Sequence, residues 1–256
     1  MQPLNFDHWL AALDERHLRN LTNAEVARAL RALSSCYVER RDKLGTGAAL
    51  EGAGKRAAFA LFYGVQHFMI VQRIADALCD RADAPDAHRH VVDLGCGTGT
   101  AGAALALTIG AGRIDGFDVN RWAVDEASWT YRVFGLRGRA AVGNLRAARL
   151  PPNAFVLAAY AVNELTGDVR RGLLAKILER QRRGGGALIV EPIGRRANPW
   201  WSEWAAAVRA VGGREDEWRF REPLPDRQRL LAKASGLDVQ ELTARSLFLS
   251  PVARGA

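Results

Sequence analysis

One stretch constrains this chain more than any other: Val91-Val92-Asp93-Leu94-Gly95-Cys96-Gly97-Thr98-Gly99-Thr100. An apolar run ends in a carboxylate, glycines follow at alternate positions, and a helix-forming run opens at Thr100. Glycines there let the backbone turn sharply and let a ligand approach without a Cβ in the way. The helix start that follows offers free N–H groups to a carboxylate or phosphate. A dinucleotide loop reads G-x-G-x-x-G. Here the third glycine, Gly99, comes one position early, and Asp93 precedes the set.

Around this loop the pattern alternates. Short apolar runs at His90–Leu94, Arg113–Val119, Arg139–Val142, Phe155–Ala161 and Ala187–Glu191 read as strands. Helical runs separate them. One starts near Thr100 and ends by Gly110. A second runs from Asn120 to Phe134, with Gly135 as its stop. A third starts at Asp168 and ends at Gly184-Gly185-Gly186. A fourth starts at Pro199 with Asn198 as its cap. Residues 237–250 alternate enough for one or two closing strands. Strand–helix alternation of this kind predicts an α/β fold, a parallel sheet with helices on both faces. The right-handed crossover rule puts the strand C-termini on one edge, where ligands bind.

The first third reads differently. Thr22 and Glu25 form a capping box, and Val26, Leu30, Leu33 and Tyr37 follow at helical spacing. Gly45, Gly47, Gly52 and Gly54 mark a connection. A second helical run covers roughly Lys55 to Asp83, with a break expected near Gly64. The division predicted is a helical N-terminal cover at 1–88 and a ligand-binding α/β domain at 89–256. The 256 residues suffice for both, and 48% hydrophobic with 25% charged residues excludes a disordered chain. No run approaches the ~18 apolar residues of a membrane span. Three separate cysteines (Cys36, Cys79 and Cys96) form no metal motif, so no metal is expected and a reducing cytoplasm is the default.

The D-x-G-x-G-x-G loop resembles the first motif of the class I S-adenosylmethionine-dependent methyltransferases. The resemblance implies a Rossmann-like methyltransferase sheet with a helical N-terminal extension, and S-adenosylmethionine as cofactor. In that family the loop passes under the methionine and ribose portion, which assigns Gly95, Cys96, Gly97 and Gly99 to cofactor binding. The acidic residue, Asp93, helps position the amino-acid end. Asp118 ends the second strand, 19 residues after Gly99, where a carboxylate accepts the ribose hydroxyl protons. Val119 adjoins it. Asn144, after the third strand, falls where the family often sets Asp or Asn against the adenine amino group. The run Tyr160-Ala161-Val162-Asn163-Glu164-Leu165 falls where it sets catalytic or substrate residues.

Each candidate also has a plainer reading. Glu164 can act as general base, if the acceptor must lose a proton, or simply cap the helix that follows. Asn163 can hold an acceptor or close a turn. Tyr63 and His67, four apart, share a helix face. Tyr63 can shield a sulfonium, a cation over an aromatic ring, with His67 beside the acceptor; equally, the pair can be buried packing. Trp200, Trp201 and Trp204 can stack on a ring or anchor a helix, and at least one must be core. Cys96 reads as a small packing residue and not a nucleophile.

The acceptor is the open question. Asn163-Glu164-Leu165 lacks the prolines of the (D/N)PPY-type amino-methyltransferases. The NEL run and the basic balance are similar to methyltransferase-like proteins associated with the small ribosomal subunit, although the four-cysteine motif common there is missing. Net charge is +8, and residues 113–196 alone carry +7 while 1–89 carry +1. Ribosomal RNA or the small subunit is therefore the leading acceptor. A small-molecule O-, N- or C-methyltransferase is the first alternative, and a cofactor-binding assembly factor without turnover is the second.

Overall fold

The computed structural model describes residues 6–39, 50–79, 90–145, 150–151, 154–194 and 198–251, with side chains in the second helix up to residue 35. Gly45 and Gly47, residues 80–83 of the expected long helix, and the predicted boundary at 88/89 lie outside the described residues.

Seven strands form one sheet in the order β3-β2-β1-β4-β5-β7-β6. Five are parallel: β1 (His90–Leu94), β2 (Arg113–Asp118), β3 (Gly138–Val142), β4 (Ala154–Ala159) and β5 (Ala187–Glu191). The chain winds outward from β1 through β3, then returns to build β4 and β5 on the other side. The strand order thus switches direction between β1 and β4, the point where such sheets open a crevice for ligands.

The two closing strands are antiparallel: β7 (Leu242–Leu249) joins β5, and β6 (Arg214–Phe220) joins β7. Only β7 lies within the expected 237–250. The other closing strand comes earlier, as Arg-Glu-Asp-Glu-Trp-Arg-Phe. Its charges hide it from a search for apolar runs. They suit an edge strand, where charged side chains block further pairing. Arg214 bridges Asp216 at 2.6 Å, and Trp218 Nε1 donates to Ser246 Oγ at 2.9 Å.

Helices cover both faces. Alternate residues of β5 divide the core: Leu188 and Val190 join one apolar cluster, Ala187 and Ile189 the other. The second cluster holds α7 (Gly167–Arg182) and α8 (Trp201–Ala210). The first holds α5 (Thr100–Thr108), α6 (Arg121–Val133) and the N-terminal helices. Helix α6 is capped as its sequence implies, Asn120 Oδ1 accepting Ala123 N–H at 3.2 Å. Helix α8 is not. Asn198 Nδ2 instead donates to Pro192 O at 2.9 Å, and the helix starts at Trp201 with no side-chain cap.

The N-terminal helices are α1 (Phe6–His17), α2 (Asn23–Glu39), α3 (Ala53–Ala58) and α4 (Val65–Leu78). Thr22 and Glu25 close their capping box, Thr22 N donating to Glu25 Oε2 at 2.8 Å and Glu25 N to Thr22 Oγ1 at 3.3 Å. There is no break near Gly64. A single π-helical segment, Phe59–Gly64, joins α3 to α4 without interrupting the rod. Such insertions rotate the face that follows and recur at functional sites. These helices share the sheet's own core. Trp9 packs on Phe134, and α9 (Asp226–Ser235) locks against them, with Gln228 Nε2 donating to Leu61 O at 2.8 Å.

Candidate functional site

A cavity of about 610 Å³ opens above the C-terminal ends of β1, β2, β4 and β5. The loop after β1 forms its floor. Gly95 sits at φ 70°, and a Cβ there would come within 2.4 Å of Ala161 Cβ, so only glycine fits. Gly95 and Cys96 N–H both donate to Phe117 O, at 2.8 and 3.0 Å, stitching the loop to β2. Asp118 ties the loop from the next strand. Its Oδ2 accepts Gly97 N–H at 2.9 Å and its Oδ1 accepts Asn120 N–H at 2.8 Å. Each oxygen keeps a lone pair for a further donor.

Gly95, Cys96, Gly97, Asp118, Val119, Tyr63, His67, Asn163 and Glu164 all line this cavity. Three expected residues do not. Gly99 faces α6 instead: a Cβ there would meet Ala127 and Tyr131 at 2.8–2.9 Å, so its glycine serves helix packing. Asn144 is exposed beyond the end of β3 and outside the lining. Asp93 is buried beneath the loop, its Oδ2 2.3 Å from where a Gly102 Cβ would stand. It shapes the start of α5 from below. Burial, with Asp118 adding, pushes its carboxyl up to about 7.

The roof comes from the N-terminal helices. The π segment and α4 bring Phe59, Tyr63, Gln66 and His67 to the cavity. The His67 ring stacks on Tyr160, with centroids 4.1 Å apart and planes 16° from parallel. Burial pulls the imidazole down to about 4, so it is neutral near pH 7. Tyr160 follows β4, which stops at Ala159 and not at Ala161. Its φ of 59° makes it the one non-glycine residue with positive φ among the described residues. That turn directs the following residues, Val162–Glu164, back over the strand ends.

A buried carboxylate fixes this loop. Glu191, ending β5 and fully buried, accepts Val162 N–H at 3.0 Å and Asn163 N–H at 3.2 Å on one oxygen. Its other oxygen accepts Asn163 Nδ2 at 2.7 Å. Burial pushes the Glu191 carboxyl up to about 8. Glu164 is exposed, but into the cavity. The surrounding walls, and then Asp118, push its carboxyl up to about 7.

The tryptophans stand elsewhere. Trp200, Trp201 and Trp204 are all buried under α8 in the second cluster, so none offers a stacking face to the cavity. Trp200 still reaches the site indirectly, its Nε1 donating to Asn163 Oδ1 at 3.0 Å. Arg170 and Arg245 lie over the Trp200 and Trp201 rings, at 5.4 and 4.3 Å from the centroids. Arg195 and Arg196, in the same loop, lie outside the described residues. Sequence reasoning missed Gln66, Glu191, Asp238 and Glu241 as lining residues, and named Tyr160 only as part of the run after the fourth strand. A strand-ending Glu191 was the one visible signal.

Among the described residues no cluster of histidines, cysteines and carboxylates is suited to a metal ion, and no helix is long and apolar enough to cross a membrane.

Residues 91–185 match the sequence profile of a methyltransferase domain. No curated protein matches the chain significantly. Among solved structures, it is similar to a TehB-like SAM-dependent methyltransferase from Corynebacterium glutamicum, with 21% identity and a TM-score of 0.43. That likeness covers 71% of this chain and 87% of the other. It is also similar to the precorrin 8W decarboxylase of Methanobacterium thermoautotrophicum, with 18% identity and a TM-score of 0.49, over 72% and 90% of the two chains. The matched segment spans the glycine loop, β2 and the loop after β4, and over it the chain is similar to methyltransferase domains.

Proposed function

We propose that the cavity above β1 and β4 holds S-adenosylmethionine beside a small acceptor and transfers a methyl group between them. One observation carries the reading: the glycine loop, Asp118, Tyr160, Asn163 and Glu164 all line a single cavity. The pocket is of ligand size. The buried Gln66 Nε2 and Tyr160 hydroxyl, on residues that line it, have no hydrogen-bond partner among the described residues, as expected of groups that serve a ligand.

S-adenosylmethionine supplies an electrophilic methyl group on a sulfonium. Gly95, Cys96 and Gly97 give a floor without side-chain obstruction, Asp118 accepts from ribose hydroxyls, and Val119 provides apolar contact. Tyr63 sets an aromatic ring against the sulfonium side. Asp93 and Gly99 act from below, by holding the loop and α5 in place. Asn144 takes no part. Residues 1–88 act as the cover, through the π segment and α4.

Glu164 serves as general base where the acceptor must lose a proton, its raised carboxyl being matched to neutral pH. Asn163, held by Glu191 and Trp200, positions the loop that carries it. His67, neutral and stacked, forms an aromatic wall.

Five carboxyl residues line the cavity, Asp118, Glu164, Glu191, Asp238 and Glu241, with no lysine or arginine among the described lining residues. Glu191 is largely protonated near pH 7 and Glu241 pairs with Arg219 and Arg221, so the negative charge comes chiefly from the other three. Such a lining repels a phosphate backbone and favours a small neutral or cationic acceptor. The ribosomal RNA reading drew on the basic stretch at 113–196. Its described arginines lie elsewhere: Arg113 and Arg139 flank Asp115 near the N-terminal ends of β2 and β3, and Arg171, Arg182 and Arg183 pair along α7.

The test is methyl-labelled S-adenosylmethionine added with the protein to a lysate, against an Asp118→Ala control. Label in the small-molecule fraction is expected. Label in RNA would overturn the acceptor assignment. No label above control, with cofactor binding intact, would favour an assembly role without turnover.

A further inference from the structure

A second cavity, of about 640 Å³, lies in the seam between α1, α3 and α6. Two half-buried indoles from α6, Trp122 and Trp129, line it; seven residues apart, they stand on one helix face. A guanidinium lies over each ring. Arg16 Cζ is 4.8 Å from the Trp129 centroid, and Arg56 Cζ is 5.7 Å from that of Trp122. Arg19 completes the set.

These arginines are held from behind. Glu126, almost fully buried, accepts Arg16 Nε at 2.9 and 3.1 Å and also contacts His17 Nε2 at 2.7 Å. Arg56 Nε donates to Leu50 O at 3.0 Å. In both cases only Nε is used, so the terminal amino groups stay available. Arg19 has no partner among the described residues. Glu15 is the one carboxylate among the described lining residues, against three guanidiniums. With Glu126 on Arg16 and Glu15 in the lining, one guanidinium stays uncompensated, and a bound anion would offset it. Terminal amino groups match phosphate oxygens, and a guanidinium lying over an indole can take a further planar ring on its other side.

We infer that this cavity is a binding site for a nucleotide unit, its phosphate on Arg16, Arg19 and Arg56 and its base over the tryptophan-backed guanidiniums. The site is distinct from the methyl-transfer cavity but adjoins it. Arg56 and Trp122 line the second cavity, while Phe59 and Ala123, a turn or less away, line the first. A free nucleotide and one nucleotide of an RNA strand share this chemistry.

Titration calorimetry on the full chain tests it. Uridine monophosphate is the probe, with excess S-adenosylhomocysteine present so that the first cavity is occupied. Saturable binding is expected, at least tenfold tighter than for uridine or inorganic phosphate. The Arg19→Ala/Arg56→Ala pair should weaken it at least tenfold. Both side chains are exposed, so the thermal midpoint should hold. A single-stranded oligouridylate binding tighter than the monomer identifies RNA as the source; equal or weaker binding identifies the free nucleotide. No binding of either at millimolar concentration, or undiminished binding in the double variant, would overturn the site. Failure of S-adenosylhomocysteine to bind would count against the methyl-transfer reading alone, since the double variant still reports on this cavity.

Discussion

Asn163 Nδ2 donates to Glu191 Oε2 at 2.7 Å, while Asn163 Oδ1 accepts the Trp200 indole N–H at 3.0 Å. The amide therefore has one workable orientation: turning it over would set N–H against N–H at the indole. Glu191 also holds the backbone of Val162 and Asn163. In Glu191→Gln the new amide opposes the Asn163 amide, and no rearrangement satisfies both ends. The expected result is a loss of about 1–3 kcal/mol in unfolding free energy. Turnover should fall while cofactor affinity is nearly kept, because the glycine loop and Asp118 are untouched. Denaturant melts and cofactor titration on the same variant check both parts.

Gly95 and Gly135 give a matched comparison. Both have positive φ, but a Cβ at 95 meets Ala161 at 2.4 Å while one at 135 meets nothing within 4 Å. Gly135→Ala should cost only the left-handed backbone penalty, about 1–2 kcal/mol. Gly95→Ala should cost more and also displace the floor of the cavity. Thermal melts should rank the two, and only Gly95→Ala should abolish cofactor binding.

Asp118 receives two backbone N–H groups and faces the cavity. Asp118→Ala removes both acceptors as well as those offered to the ribose. Cofactor affinity should fall at least about tenfold, the equivalent of ~1.4 kcal/mol. Unchanged affinity by calorimetry would mean that the cofactor lies elsewhere.

Two buried carboxyls set a pH dependence. Asp93 is raised to about 7 and Glu191 to about 8, each chiefly by burial. Unfolded, both would titrate near about 4. The native state thus holds these protons more tightly than the unfolded chain. Their contribution to stability is full below about pH 4 and is lost as pH rises through 7 and then 8. Asp93→Asn should flatten the decline between about pH 4 and 7, read from denaturant midpoints across that range.

Glu164 carries a separate pH signature. With its carboxyl raised to about 7, a general-base role makes the rate climb as pH passes that value. Glu164→Gln should lower turnover and remove that limb of the profile. A profile unchanged in shape would assign Glu164 to binding or to capping.

Much of this arrangement is legible along the chain because it depends on neighbours in sequence. The Asp93–Thr100 loop, the strands at His90–Leu94 and Ala187–Glu191, and the Thr22–Glu25 box are short-range patterns. Strand period, glycine spacing and capping chemistry determine them with little help from the rest of the molecule. The same locality explains the misses. Strand β6 carries four acidic or basic residues before its first aromatic, and it becomes a strand only because β7 offers it an edge. Asn198 has the composition of a helix cap, but its Nδ2 is fixed on Pro192 O and its Oδ1 meets no donor of the helix.

By itself the sequence determined that the chain alternates strand and helix, that a glycine loop follows β1, and that Asp118 and Glu164 stand at strand ends. The tertiary structure alone decided which of those residues face one another. Gly99 turned to α6 and Asp93 sank under the loop because helix packing claims the space on that side. Three tryptophans went into the core because Trp201 and Trp204 lie on the face of α8 turned to the sheet, with Trp200 just before it. Glu191, Tyr160 and Gln66 entered the site from elements far apart in sequence, and long-range juxtaposition leaves no trace in local spacing. Charge behaves the same way: within the +7 stretch Arg113, Arg139, Arg171, Arg182 and Arg183 pair with carboxylates on β2 and α7, while the arginines facing the second cavity, Arg16, Arg19 and Arg56, come from the N-terminal part of the chain.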